Sequence, residues 1–160
     1  MNILGIDPGI ARTGWGIVES QKSKVKSQKY GCVETEAGLP VEKRLESIYD
    51  SLNSIIKENK PEVLVIEELF FNTNAKTAFV VGQARGVILL MAAQKNLPVF
   101  VYTPLQVKIA VTGYGRAEKS QIGQMVKTIL GLKEIPKPDD TADALAIALT
   151  HAFSHKMNTK

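Results

Sequence analysis

Residues 2–7, Asn-Ile-Leu-Gly-Ile-Asp, form a near-continuous apolar run closed by an acid, and Pro8-Gly9 breaks it before a second strand-like stretch at about 13–20. Residues 24–35 predict a third strand, with Lys24 and Lys26 on one face, where charge protects a sheet edge from unwanted pairing. Across 40–59 the apolar residues Val41, Leu45, Ile48, Leu52, Ile55 and Ile56 recur at helical spacing, and Lys60-Pro61 closes this amphipathic helix. Residues 63–66 are a short β-branched run, as in a strand buried on both faces, and Glu67 and Glu68 follow directly. A helix is predicted at about 74–95 and a strand at 98–102. Further helices start near Pro104 and Lys119, and a last helix covers 139–154. Three early strands followed by alternating helices and strands imply an α/β fold, a mixed sheet flanked by helices, without repeats or low-complexity linkers.

Length limits this fold to one unit. A chain of 160 residues, 44% hydrophobic, can bury one sizeable core, so a single domain over 1–160 is expected. Uninterrupted apolar stretches fall short of the ~20 residues of a membrane span, and the chain opens on strand-like residues instead of a signal peptide. With a lone cysteine, Cys32, offering neither an internal disulfide nor a zinc knuckle, a cytoplasmic protein with no membrane association is expected. The net charge of +4 is a weak pointer to polyanions. It sharpens if several acids are engaged with metal, because the remaining surface is then more basic.

The acids carry the chemistry. Asp7 and Glu67 stand at the ends of two apolar strands that would lie parallel and central, so their carboxylates can converge at one sheet edge. The last helix opens Asp139-Asp140-Thr141-Ala142-Asp143 before an apolar run. Asp139 is a natural N-cap, favoured there for reasons of helix stability alone. Asp143 lies inside a helix apolar nearly all round, and Asp140, three residues earlier, shares its face, so both can point at the strand ends. Four carboxylates gathered together cannot all stay ionised unless cations join them. Oxygen ligands without His or Cys suit Mg²⁺, or Mn²⁺ as a substitute, and a pair of such ions can activate water for in-line hydrolysis of a phosphodiester. Strand-tip acids also occur in sugar-binding and kinase folds.

Other residues have readings of both kinds. Phe70 and Phe71 sit in a polar stretch between a buried strand and a helix, where they either staple the helix or meet a ligand. Lys108, Arg116 and Lys119 lie in and around the loop Thr112-Gly-Tyr-Gly, near helix starts, where cations and backbone N–H groups can hold phosphates. The helix from Asn74 is apolar around most of its girth, with Ala78, Gly82 and Gly86 at four-residue spacing, so it has two faces to cover. His151 and His155 are read as cations favoured near a helix C-terminus, not as a metal pair.

Taken in order, GIDPGIARTGWG, VIEELFF, GQARG, AEKSQ and DDTADALAIALTH resemble the RuvC family of Holliday junction resolvases across almost the whole chain. The resemblance implies an RNase H-like nuclease, homodimeric and Mg²⁺-dependent with two ions per site. Its substrate would be four-way junction DNA, nicked in two opposed strands during recombination and repair, and its partners the RuvA and RuvB branch-migration proteins. It places the catalytic and metal-binding acids at Asp7, Glu67, Asp140 and Asp143, selecting Glu67 over Glu68 and Asp140 over Asp139. Phe70 matches a residue proposed to stack on unpaired bases at the junction centre, and Lys108 and Lys119 match basic positions near the scissile phosphate. Arg116 stands beside them as a further DNA contact. The family's dimer interface uses the region of the Asn74 helix. A sugar kinase or actin-like ATPase also carries a strand-Asp-turn-strand hairpin, but this chain is short for a two-lobed protein and lacks a second Asp-Gly hairpin. A module that binds junctions without cutting them would not need all four acids.

Overall fold

The computed structural model of the protein describes residues 1–22, 24–69 and 74–158. Its elements run in the order β1 (Asn2–Asp7), β2 (Arg12–Gln21), β3 (Lys24–Glu34), α1 (Val41–Asn59), β4 (Val63–Glu67), α2 (Ala75–Gln94), β5 (Val99–Tyr102), α3 (Pro104–Thr112), α4 (Lys119–Leu130) and α5 (Asp139–Asn158). The five strands form one sheet in the order β3-β2-β1-β4-β5. β2 lies antiparallel to β1 and β3, whereas β4 runs parallel to β1 and β5. The mixed sheet flanked by helices is the arrangement the sequence predicts, with β1 and β4 central and parallel.

Strand alternation sorts the side chains into two cores. Ile3, Val63 and Val65 face the layer of α3, α4 and α5, where they pack with Leu145 and Leu149. Leu4, Ile6, Leu64 and Ile66 face α1 and α2, packing with Ile48, Leu52, Ile88 and Met91. Asp7 follows Ile3 and Gly5 at the two-residue period, and Glu67 follows Val63 and Val65. Both acids therefore end their strands on the α5 face.

Helix α5 lies unusually close to that face. A Cβ on Gly5 would collide with the Ala144 carbonyl oxygen, and one on Gly14 with the carbonyl of Asp140. Only a residue without a side chain lets the helix backbone rest on the strands at these two points. The helix is correspondingly apolar, with every residue from Ala144 to Leu149 essentially inaccessible to water.

Several expectations are refined. β3 is the sheet edge, with Lys24 and Lys26 exposed on it. α5 begins at Asp139 itself, so this acid belongs to the helical first turn and does not precede the helix as a cap. α5 also continues to Asn158, beyond the predicted end at 154. His151 is consequently buried against β5, at 2% exposure, and is not a cation at a fraying end. Helix α2 has the length and mean hydropathy that a membrane span requires, more than its interrupted apolar runs imply. It is nonetheless packed in the core through Ala84, Ile88, Met91 and Ala92.

Candidate active site

The β1–β2 turn brings the first elements together. Thr13, fully buried, donates from its hydroxyl to the Gly9 carbonyl at 2.7 Å, closing the turn, and Asp7 pairs across the strands with Gly14. Because Gly14 lets the first turn of α5 settle on β2, Asp140 lies over this pair. Thr141 Oγ1 donates to the Gly31 carbonyl of β3 at 3.3 Å and ties the same turn to the sheet. Asp143 follows on the inward side one turn later. Glu67 enters from β4, its backbone in register with Tyr102 of β5.

Two helices supply the cations. The chain leaves β5 directly into α3, whose start is fixed by a reciprocal pair: Gln106 N–H donates to Thr103 Oγ1 at 3.1 Å, and Thr103 N–H to Gln106 Oε1 at 2.8 Å. Pro104 and Lys108, one turn apart, then face the acids. Lys119 opens α4 and donates from Nζ to Asp143 Oδ2 at 2.9 Å. Asp7, Glu67, Asp143, Lys108 and Lys119 together line one cavity of about 220 Å³, completed by Pro104, Val107 and Ile122.

The acids lie in one another's field. Burial, then the charges of Asp143, Glu67 and Asp140, push the Asp7 carboxyl up to about 8, against a smaller downward pull from Lys119. Glu67 is also raised, first by burial and then by Asp143, while Lys119 and Lys108 lower it. Lys119 is held above its ordinary value, first by its hydrogen bond to Asp143. At neutral pH the metal-free protein therefore keeps a proton on Asp7, because its carboxyl is buried and three further carboxylates crowd it.

This donor set fits a hard divalent cation. It is composed of carboxylate oxygens, and a cation placed among them would let the proton leave. The carboxylates surround the cavity rather than converge, and among the described residues no three His, Cys, Asp or Glu side chains already stand in single-ion geometry. The ammonium of Lys119 is the positive charge at Asp143 in this arrangement.

Matches to known proteins agree with the geometry. The family model described as crossover junction endodeoxyribonuclease RuvC matches residues 3–151. The chain belongs to the RuvC family. A RuvC from Brevibacillus brevis is 57% identical over 152 residues, covering 95% of this chain and 92% of that protein. The structure of Thermus thermophilus RuvC superposes with a TM-score of 0.91 at 40% identity, covering 99% of this chain and 98% of that one. T. thermophilus RuvC in complex with Holliday junction substrate gives a TM-score of 0.93 at 41% identity, covering 99% and 97%. The fold is thus RNase H-like and the chain an endodeoxyribonuclease of the RuvC type.

Not every residue singled out from the sequence reaches the cavity. Asp7, Glu67, Asp143, Lys108 and Lys119 line it, whereas Asp140 acts on Asp7 from outside its wall. Glu68 is exposed, its N–H donating to the Tyr102 carbonyl at 2.8 Å. Arg116 is exposed on the loop between α3 and α4, away from the lining. Phe70, with Phe71, lies outside the described residues. Sequence reasoning missed Gly5 and Gly14 as the seats of α5, although glycines inside otherwise apolar strands signal close backbone approach. It also missed the pairing of Tyr102 with His151, whose Oη and Nδ1 stand 3.0 Å apart beneath Phe100.

Proposed function

We propose that this protein resolves four-way DNA junctions by paired nicks in opposed strands, using two-metal-ion hydrolysis, during recombination and repair. The observation that carries the reading is the single cavity shared by Asp7, Glu67, Asp143, Lys108 and Lys119 in a chain of the RuvC family. The T. thermophilus relative in complex with Holliday junction substrate supports the substrate. Asp7, Glu67, Asp140 and Asp143 would hold two Mg²⁺ ions, with Mn²⁺ able to replace them. Such ions supply an activated water and stabilise the leaving oxygen of the phosphodiester.

The chain's own residues do the rest. The α5 face orients the acids before substrate arrives, so little reorganisation is needed at reaction. Lys108 and Lys119 neutralise phosphate oxygens at the cavity mouth, Arg116 adds a weaker contact from its loop, and Phe70 stacks on bases unpaired at the junction centre.

Coordinated cutting of two strands calls for two sites. Helix α2 offers the surface for a homodimer: Phe79 is 67% and Leu90 57% exposed, and Gly86 opens onto space with nothing within 4 Å of a Cβ placed there. Residues 79, 86 and 90 recur at helical spacing on one stripe. In this reading the protein is one nuclease domain over 1–160, works in the cytoplasm, and receives its junctions from RuvA and RuvB.

The test is cleavage of a labelled four-way junction beside duplex and single strand of the same sequence, in Mg²⁺ and in EDTA. Symmetric nicks confined to the junction and to Mg²⁺ are expected. Equal cutting of duplex, or cutting in EDTA, would overturn the reading.

A further inference from the structure

Next to the catalytic cavity lies a second one, of about 270 Å³, between the start of α4 and the segment that leads into α5. The two are separated by the side chains of Lys119 and Asp143, which line both. Its other polar walls are Ser120, Lys137 and Asp139, over a floor that includes Gly123. Ile135 lines the cavity as well and lies close to Gly123, where a Cβ would stand 3.0 Å from its Cγ2. Lys137 is exposed and forms no salt bridge among the described residues. Nothing in the catalytic reading uses Lys137 or Ser120.

We propose that this cavity is a phosphate subsite, holding the phosphodiester next to the scissile one on the strand being cut, with Lys137 and Ser120 as its contacts. The inference rests on the catalytic role given to the neighbouring cavity. Successive phosphates of one strand must occupy adjacent places, and here an adjacent place shares a wall with the reacting one. Its two ammonium groups and two carboxylates balance, so a singly charged phosphodiester would be held by local donors and not by net charge. In the catalytic reading Asp143 and Lys119 are engaged at the neighbouring cavity, which leaves Lys137 beside Asp139 here, and the Ser120 hydroxyl adds an uncharged donor. Holding the flanking phosphate fixes the direction of the strand through the site, so that the scissile bond presents its leaving oxygen in line.

The experiment is a methylphosphonate walk. Four-way junctions carry one neutral methylphosphonate at each position flanking the scissile phosphate in turn, and single-turnover cleavage in Mg²⁺ is measured for wild type, Lys137→Ala, Lys137→Arg and Ser120→Ala. At one flanking position the neutral linkage should slow the wild type by roughly tenfold, the scale of one charged hydrogen bond. At that position it should cost Lys137→Ala, and to a smaller degree Ser120→Ala, less than it costs the wild type, while Lys137→Arg behaves as wild type. Lys137→Ala should also bind the unmodified junction with a salt slope shallower by about one counterion. If the two effects multiply at every position, or the slope is unchanged, the subsite is wrong even though the enzyme cuts. If the wild type fails to cut the unmodified junction, the catalytic reading fails and takes the subsite with it. Lys137 is exposed, so loss of folding is not expected, and melting temperatures check this.

Discussion

Replacing Asp7 by Asn should stabilise the metal-free protein while removing its activity. Burial and three neighbouring carboxylates push the Asp7 pKa up to about 8, from 3.8 in an unfolded chain. Between these values the folded state keeps a proton that the unfolded state has lost. Stability therefore falls as pH rises through the window, and the full penalty is present above about pH 8. At ~1.4 kcal/mol per pH unit the displacement bounds that penalty at ~5–6 kcal/mol. Single substitutions commonly shift stability by ~0.5–3 kcal/mol, and a gain within that range is expected. Asn has the same shape without the charge. Thermal melts in EDTA above about pH 8 should place the variant higher than wild type, by roughly 2–4 °C for each kcal/mol. The gain should shrink as pH falls toward 4 and vanish below it, once the unfolded carboxyl is protonated as well. Mg²⁺ should raise the wild-type melting temperature and raise that of the variant much less. A variant that melts below wild type at high pH, or a difference independent of pH, would refute the argument that burial and crowded charge hold the proton.

Gly14→Ala forces a Cβ into the backbone of Asp140. Denaturant titration should show a loss of ~1–3 kcal/mol, with slower junction cleavage as Asp140 and Asp143 shift, and a neutral result would mean α5 does not rest on this glycine. Gly86→Leu places its side chain in open space, so sedimentation should find a folded monomer; a dimer that survives it would remove α2 as the interface. His151 is held below its ordinary pKa, first by burial and then by His155. Because the unfolded chain takes up the proton first, stability should drop as pH falls below 6.5. His151→Gln should flatten that slope in urea titrations, and an unchanged slope would assign it to other groups.

The sequence carried the positions of the acids because local periodicity decides them. A two-residue period over 2–7 and 63–67 puts Asp7 and Glu67 on one side, and a helical period puts Asp140 and Asp143 on one face. What periodicity cannot say is which helix lies over which strand. The roles of Gly5 and Gly14 depend on α5 crossing β1 and β2, and that crossing is set by long-range packing. His151 was misplaced for a related reason. With the helix expected to end at 154 it reads as a terminal cation, but α5 runs on to Asn158 and carries the residue under Phe100 and Tyr102. Asp139 was misassigned by one residue, a typical margin for a helix end. The lining of the cavity by Lys108 and Lys119 depended on the angles of α3 and α4, and family motifs located these residues where spacing alone left them open.

The sharpest test sets two adjacent carboxylates against each other. Glu67 and Glu68 are neighbours in the chain, yet Glu67 lines the cavity with Asp7 and Asp143 while Glu68 is exposed. Cleavage and binding of a four-way junction by Glu67→Gln and Glu68→Gln, measured side by side with wild type in Mg²⁺, separate them. Glu67→Gln should bind the junction and fail to cut it, and Glu68→Gln should cut at close to the wild-type rate. If Glu68→Gln is the inactive variant, or if Glu67→Gln still cuts, the cavity on the α5 face is not the catalytic site.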